Sequence, residues 1–175
     1  PGTAIPSADL IVLAGSKATC GDREVLRAQG WDIDIRAHHR QGKPVLGLCG
    51  GYQMLGRSVA DPNGLEGAAG SVEGLGLLDV ETRLLGDKTL RQVSGEALGQ
   101  PFEGYEIHLG QTNGADTARP VVRFDDGRVD GATSADGLVY GTYVHGLLGL
   151  AVQRGAWLRR IGAEASGPDH RADVE

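Results

Sequence analysis

The stretch that most constrains the fold of this chain is residues 46–53, Leu-Gly-Leu-Cys-Gly-Gly-Tyr-Gln, in which one cysteine stands among three glycines. The apolar run 44–48 leads into it as a buried strand, and residues 52–59 have the composition of a helix. The glycine spacing around Cys49 is that of a nucleophile elbow, a sharp strand-to-helix turn in which flanking side chains would collide with the strained nucleophile. Cys49 is therefore a candidate nucleophile, with a buried structural cysteine as the alternative.

The rest of the chain has the pattern of alternating strands and helices. Residues 9–13 are predicted as a buried parallel strand, followed by helices over residues 23–29, capped by Asp22, and 32–40. These units favour an α/β fold with an open, mostly parallel (mixed) sheet flanked by helices. The later part predicts a surface loop over 60–76, strands over 77–85, 104–109, 120–124 and 138–144, and a last helix over 149–162 with Trp157 and Leu158 on its core face.

Length and charge narrow the class of protein. We expect one domain over residues 1–166 and a polar, frayed tail over 167–175 of the 175 residues. The formal net charge of −6 argues against a nucleic acid or an anionic membrane as partner. No apolar run approaches the roughly 20 residues of a membrane span, no signal peptide is seen, and two cysteines make no disulfide framework. A cytoplasmic protein is expected, and the start at Pro1 suggests a piece of a longer chain.

A base for the thiol is sought among five histidines. His145 closes the predicted strand 138–144 and so lies at a carboxyl strand end, where ligands bind in open α/β sheets. It is the best candidate base for Cys49, although a strand-end histidine bonded to a backbone carbonyl is the alternative. His108 lies on a strand, where it lines a pocket or packs. The cysteine and histidine spacings predict no metal site.

Five segments together resemble a known family. The cysteine motif is similar to that of class I (triad-type) glutamine amidotransferases. More narrowly, the chain resembles the C-terminal glutamine amidotransferase domain of cobyric acid synthases, enzymes of cobalamin biosynthesis. The segments, in family order, are Leu-Ala-Gly-Ser-Lys-Ala-Thr at 13–19, Leu-Gly-Leu-Cys-Gly-Gly-Tyr-Gln-Met-Leu-Gly at 46–56, Glu-Gly-Leu-Gly-Leu-Leu-Asp-Val-Glu-Thr at 73–82, Gly-Tyr-Glu-Ile-His-Leu-Gly at 104–110 and Gly-Thr-Tyr-Val-His-Gly at 141–146.

The resemblance implies roles for four residues in glutamine hydrolysis. Cys49 would attack the side-chain amide of glutamine to form a glutamyl thioester and release ammonia. His145 would take the thiol proton and later activate water. The backbone N–H groups of Gly15 and Gly50 would form the oxyanion hole.

Substrate and partners are implied in the same way. Gln53 would hold the substrate glutamine, and His108 would line its pocket. The resemblance implies no cofactor in this domain. ATP and Mg²⁺ would serve a synthetase domain absent from this chain, which would use the ammonia to amidate a corrin of the adenosylcobyrinic acid a,c-diamide type.

Two departures from the wider pattern matter. Ala14 stands where the family loop usually has proline, which should loosen that turn slightly. Triad-type enzymes usually carry Glu two residues after the histidine, and this chain has Leu147 at that position. Cobyric acid synthases resemble this chain in lacking that Glu. We therefore expect a Cys–His dyad with weak glutaminase activity on its own. His145 would be oriented by a backbone carbonyl or by a nearby carboxylate, such as Glu106.

Three other functions stay open. The first is the amidotransferase subunit of a lipid II (peptidoglycan) amidating complex, which has a similar cysteine motif. The second is a cysteine hydrolase or peptidase on a related elbow fold, against which Gln53 argues. The third is a non-catalytic regulatory or assembly domain, suggested by the missing Glu.

Overall fold

Helices and strands alternate through the first sixty residues and strands dominate afterwards. The computed structural model describes residues 2–164, except for the side chain of Asp87. In chain order the elements are β1 (Ile11–Leu13), α1 (Thr19–Ala28), α2 (Trp31–Arg40), β2 (Val45–Leu48), α3 (Gly50–Leu55), β3 (Ser58–Asp61), β4 (Gly70–Glu73), β5 (Glu81–Ala97), β6 (Gln100–Asn113), a 3₁₀ turn (Ala115–Ala118), β7 (Val122–Phe124), β8 (Val129–Asp130), β9 (Ala132–Thr133), β10 (Val139–Thr142), β11 (Val144–His145) and α4 (Ala151–Arg160).

The first sheet positions the site. Its order is β1-β2-β10-β9, with β1, β2 and β10 parallel and β9 antiparallel at one edge. Leu13 pairs with Gly47, and Thr142 pairs with Leu48, so the three parallel strands end at nearly the same level. The loops that leave these carboxyl ends therefore meet above the middle strand, β2.

The second sheet is largely antiparallel. Its main order is β11-β6-β5-β3-β4, and β7 and β8 are added beside β5. The long β5–β6 hairpin turns at Leu98 and Gly99, whose φ angles are 51° and 70°. Two consecutive residues with positive φ are the requirement of a type I′ hairpin turn. Strand β11 pairs with β6, so the chain passes from the first sheet to the second between β10 and β11.

Apolar side chains pack on both faces of the first sheet. Val45 belongs to one buried cluster, with Ile35 and Tyr52, whereas its neighbour Leu46 belongs to a second cluster with Trp157. Successive residues of a strand point to opposite faces, so β2 is buried on both sides, as a continuous apolar run predicts.

The predicted α/β class with a mixed sheet and flanking helices is confirmed, and several boundaries differ. The helix predicted over 52–59 ends at Leu55, and Ser58–Asp61 is a strand. A Cβ on Gly56 would lie 2.7 Å from the Val80 carbonyl oxygen, so tertiary packing fixes the chain at this stop. The predicted loop 60–76 contains the strand Gly70–Glu73.

Other differences concern ends of elements. Helix α1 begins with Ala18 rather than Asp22 at its N-cap. The strand predicted over 77–85 begins at Glu81 and continues to Ala97. Trp157 is buried on the core face of α4, as predicted. The predicted domain end at residue 166 and the predicted tail 167–175 lie outside the described residues.

Candidate active site

Cys49 occupies the turn between β2 and α3 in a backbone conformation that few residues adopt. Its φ is 52° and its ψ is −112°. A positive φ is uncommon in residues other than glycine, and such strain typically persists where the surrounding structure enforces it at a functional site. The elbow predicted from the glycine spacing is therefore present in the structure.

Each glycine of the elbow is needed for close packing. A Cβ on Gly47 would lie 2.7 Å from the carbonyl carbon of Gly51, and one on Gly51 would lie 2.0 Å from the Leu13 carbonyl oxygen. A Cβ on Gly50 would lie 2.8 Å from the backbone nitrogen of Ser16. Real Cβ atoms do not approach backbone atoms so closely, so the three positions exclude a side chain.

Gly15, Cys49 and His145 meet at the carboxyl ends of β1, β2 and β10–β11. A Cβ built on Gly15 would lie 3.3 Å from the Cε1 atom of His145 and 3.6 Å from the Cβ atom of Cys49. The predicted nucleophile and the predicted base therefore flank the exposed glycine that was predicted to donate to the oxyanion. The structure brings these residues together, while their catalytic roles stay predictions.

His145 is held by backbone and by an aromatic ring. Its imidazole lies close enough to the Ile107 carbonyl for that carbonyl to raise its pKa, and it stacks on Tyr105, with ring centroids 5.0 Å apart and planes 6° from parallel. The Nε2 atom is buried and has no hydrogen-bond partner. Burial lowers the pKa of His145 below its ordinary value, and this effect exceeds the opposing one of the Ile107 carbonyl. The imidazole is therefore neutral near pH 7.

Of the two kinds of orienting group that we expected, a backbone carbonyl, that of Ile107, lies near the imidazole, and its orienting role stays a prediction. Glu106 does not orient His145, because its carboxylate accepts a hydrogen bond of 3.1 Å from Arg128. The strand register explains this, since Tyr105 lies opposite His145 and the side chain of the next residue points to the other face. Leu147 is buried in the core, so it cannot substitute for the missing carboxylate.

The thiol of Cys49 is buried, with 8% of the residue exposed. Sγ donates to the Ile107 carbonyl at 3.4 Å, so Ile107 contacts both Cys49 and His145. Burial raises the pKa of Cys49, and the Gly50 N–H, which favours the thiolate, does not outweigh it. The Gly50 N–H at the start of α3 is therefore too weak to favour the thiolate, and the proton must be removed by a base.

Gln53 lies beneath the site, 2% exposed, with its amide bonded inside the protein. Its Nε2 donates to the Leu109 carbonyl at 3.1 Å and to the Tyr143 hydroxyl at 3.2 Å, while its Oε1 accepts from the Thr19 hydroxyl at 3.1 Å. These bonds connect α1, α3, β6 and the loop before β11. They give Gln53 a structural function, and its binding of glutamine stays a prediction.

His108 packs against Tyr143, with ring centroids 3.8 Å apart, and its Nδ1 is buried without a hydrogen-bond partner. Burial lowers its pKa, and a protonated His108 would in turn lower the pKa of His145. It is therefore near the site, and its contact with substrate stays a prediction.

Sequence reasoning did not identify Ile107 and Tyr105 individually. Ile107 acts through its carbonyl, which no side-chain pattern reveals. Tyr105 and Ile107 alternate with the buried Glu106 along β6, so strand periodicity places both on the face toward His145. That periodicity was the available signal.

Residues 2–164 contain neither a metal-binding cluster nor a membrane-spanning helix. No group of three or more His, Cys, Asp or Glu side chains in this part of the chain could hold a metal ion. Within the same residues, no helix is long and apolar enough to cross a membrane.

The cysteine on a nucleophile elbow and the histidine at the neighbouring strand end are features of one class of protein. That class is the α/β proteins with the glutamine amidotransferase fold. The structure titled "Crystal structure of glutamine amidotransferase" superposes with a TM-score of 0.59 at 16% identity, covering 89% of this chain and 80% of that one. The structure of PurLQS from Thermotoga maritima superposes with a TM-score of 0.56 at 18% identity, covering 93% of this chain and 76% of that one. These likenesses show the fold.

The family follows from sequence. Residues 1–151 match the CobB/CobQ-like glutamine amidotransferase domain, and the chain belongs to this family. Among its relatives, the cobyric acid synthase of Rhizorhabdus wittichii is 63% identical over 176 residues, covering 100% of this chain and 36% of the relative. That of Novosphingobium aromaticivorans is 61% identical, covering 100% of this chain and 36% of the relative. The chain thus spans about a third of the length of the relatives it matches.

Proposed function

We propose that this chain hydrolyses glutamine with a Cys49–His145 dyad and supplies the ammonia for ATP-dependent amidation of corrin carboxylates in cobalamin biosynthesis. The observation that supports the proposal is the strained Cys49, flanked by Gly15 and His145 at three neighbouring strand ends. The names of its relatives direct the proposal to cobyric acid synthesis. ATP and Mg²⁺ would be used by the part of such proteins that this chain does not span.

The first half-reaction forms the thioester. The Nε2 atom of His145, which has no partner, accepts the thiol proton of Cys49, and Sγ attacks the amide carbon of glutamine. The N–H groups of Gly15 and Gly50 donate to the oxyanion of the tetrahedral intermediate. The imidazolium then returns its proton to the amide nitrogen, which leaves as ammonia.

The second half-reaction restores the enzyme. His145 takes a proton from water, and the resulting hydroxide attacks the thioester carbon of the acyl group on Cys49. The bond to Sγ breaks, the proton on the imidazolium passes to the thiolate, and glutamate leaves. One glutamine and one water thus give one glutamate and one ammonia.

Hydrolysis is tested on the 175-residue chain with two matched substitutions. Wild type should release glutamate slowly and be labelled once by 6-diazo-5-oxo-norleucine. Cys49→Ser should abolish both. Cys20→Ser is the control because Cys20 is the other free cysteine and bonds the Val59 carbonyl, away from the elbow, so it should retain both. Glutamate release by Cys49→Ser at the wild-type rate would contradict the proposal.

The acceptor is tested in a chimera. This chain replaces the matching third of the Rhizorhabdus wittichii relative, and amidation of cobyrinic acid a,c-diamide is followed with ATP and Mg²⁺. The chimera should use glutamine or ammonium chloride, whereas its Cys49→Ser variant should use ammonium chloride only. A wild-type chimera that amidates with ammonium chloride and not with glutamine would contradict the proposed supply of ammonia.

A further inference from the structure

The position of His145 depends on a single-residue passage between the two sheets. Strand β10 ends at Thr142 and pairs with β2, whereas β11 begins at Val144 and pairs with β6. Only Tyr143 lies between the two strands. The direction that the chain takes at Tyr143 therefore determines where the imidazole of His145 meets the thiol of Cys49.

One carboxylate oxygen and one hydroxyl hold this passage. Oδ2 of Asp130 accepts a hydrogen bond of 2.6 Å from the Thr142 hydroxyl and one of 2.7 Å from the Tyr143 N–H. The same hydroxyl accepts 3.2 Å from the Val144 N–H. A hydroxyl has one proton and two lone pairs, so with its proton directed to Asp130 it is an acceptor for Val144. Three consecutive residues before His145 are thus fixed by this pair.

The backbone of Thr142 also holds the nucleophile. Its carbonyl accepts 2.9 Å from the N–H of Cys49, and Thr142 is fully buried. One residue therefore bonds Cys49 directly and fixes the approach to His145 through its hydroxyl. A displacement of about 1 Å between reacting groups can lower a rate about 100-fold.

We propose that Asp130 and Thr142, here called the Asp130–Thr142 clamp, are positioning residues for proton transfer between Cys49 and His145. The inference rests on the proposed function. The clamp acts on backbone, so it differs from a carboxylate bonded to the imidazole. It touches neither the imidazole nor the thiol, and it sets the distance between them.

The test compares variants of the 175-residue chain. Thr142→Val keeps the shape and removes both hydroxyl bonds, whereas Thr142→Ser retains them. Thr117→Val is the control, because it removes a threonine hydroxyl that bonds the Gly114 carbonyl in an exposed turn. The measurements are kcat and KM for glutamine, the rate of Cys49 alkylation by iodoacetamide as a function of pH, and thermal unfolding.

Thr142→Val should lower kcat about 10- to 100-fold with KM within about twofold, because neither Thr142 nor Asp130 is among the residues predicted to hold glutamine. Its Cys49 should be alkylated more slowly near pH 7, since the neutral thiol loses the imidazole that takes its proton. Thr142→Ser should stay near wild type in both, as should Thr117→Val. A folded Thr142→Val with wild-type kcat and a wild-type rate of alkylation near pH 7 overturns the proposal, even where its unfolding temperature falls.

Asp130→Ala provides a second arm if Thr142→Val does not fold. The carboxylates of Glu66 and Asp130 both raise the pKa of Cys49, so the loss of the Asp130 charge alone would speed alkylation near pH 7. Slower alkylation near pH 7 therefore supports lost positioning, and faster alkylation with unchanged kcat overturns it. If wild type does not hydrolyse glutamine, the alkylation profiles still decide the clamp while the proposed function fails.

Discussion

Replacing Gly51 by alanine tests the packing that forms the elbow. The new Cβ would lie 2.0 Å from the carbonyl oxygen of Leu13 and 2.6 Å from its carbonyl carbon. Leu13 cannot retreat easily, because β1 is paired with β2 at this level. Overpacking of a buried site costs about 1–3 kcal/mol and sometimes more. Because every close atom belongs to the backbone of Leu13 and Ala14, the cost should reach about 3 kcal/mol.

The matched control is Gly21→Ala, the same chemical change within helix α1. A Cβ there would have only the Ala18 Cβ at 4.0 Å, and alanine is favoured over glycine in a helix by about 0.5–1 kcal/mol. The two variants should therefore change stability in opposite directions. This contrast removes any general effect of adding a methyl group to the chain.

The assay is urea unfolding followed by circular dichroism, with a thermal scan. Gly51→Ala should lower the unfolding free energy by about 3 kcal/mol, which is roughly 6–12 °C in Tm for a chain of this size, while Gly21→Ala should raise both slightly. A Gly51→Ala variant within about 0.5 kcal/mol of wild type would refute the reasoning. So would two variants that shift together.

Two further predictions concern protonation and the histidine. Burial lowers the pKa of His145, and His145 must be neutral to act as a base. The acid limb of the pH profile of kcat/KM for glutamine should therefore have its midpoint below the ordinary histidine value of about 6.5. A midpoint clearly above that value would contradict the neutral, buried base. Glu106→Gln should leave the Cys49 alkylation profile unchanged. Urea unfolding should show a loss of stability of about 1 kcal/mol or less, because the partner of Glu106, Arg128, is partly exposed and its charge is screened by solvent. A changed alkylation profile would mean that Glu106 does act on the imidazole.

The sequence predicted the parallel part of the fold well. The runs before Gly15 and Cys49 are short and apolar, and each leads into a glycine-containing turn. This pattern is typical of a buried strand. The same reasoning located both predicted nucleophile and predicted base at strand ends, since the carboxyl ends of neighbouring parallel strands share one edge of a sheet.

The β5–β6 hairpin was harder to predict. Residues 88–92 of β5 do not alternate between buried and exposed positions, and Leu90 is 72% exposed. Its turn puts Leu98 at a positive φ, where Asn or Gly gives the usual hairpin signal. The strand pairing that forms this hairpin therefore has little local signature.

The bonds that hold the site were also beyond sequence reasoning. Ile107 contributes a backbone carbonyl, which is the same in every residue. Asp130 and Thr142 are 12 positions apart, and a buried threonine hydroxyl has no pattern that separates it from an apolar β-branched residue. Residue types indicate the reacting groups, while the groups that place them emerge from tertiary structure.

The replacement of a carboxylate by the Ile107 carbonyl has a consequence for rate. A carbonyl accepts a hydrogen bond from an imidazole and so orients it, but it has no net charge to stabilise the imidazolium formed during attack. The pKa of His145 is lowered and that of Cys49 is raised, so the resting pair is a neutral thiol and a neutral imidazole. Proton transfer between them is uphill, and the ion pair gains only the N–H of Gly50 and the Ile107 carbonyl as support. Slow hydrolysis of glutamine by this chain alone is thus expected from the buried dyad itself, and the missing Glu at Leu147 is one part of that cause.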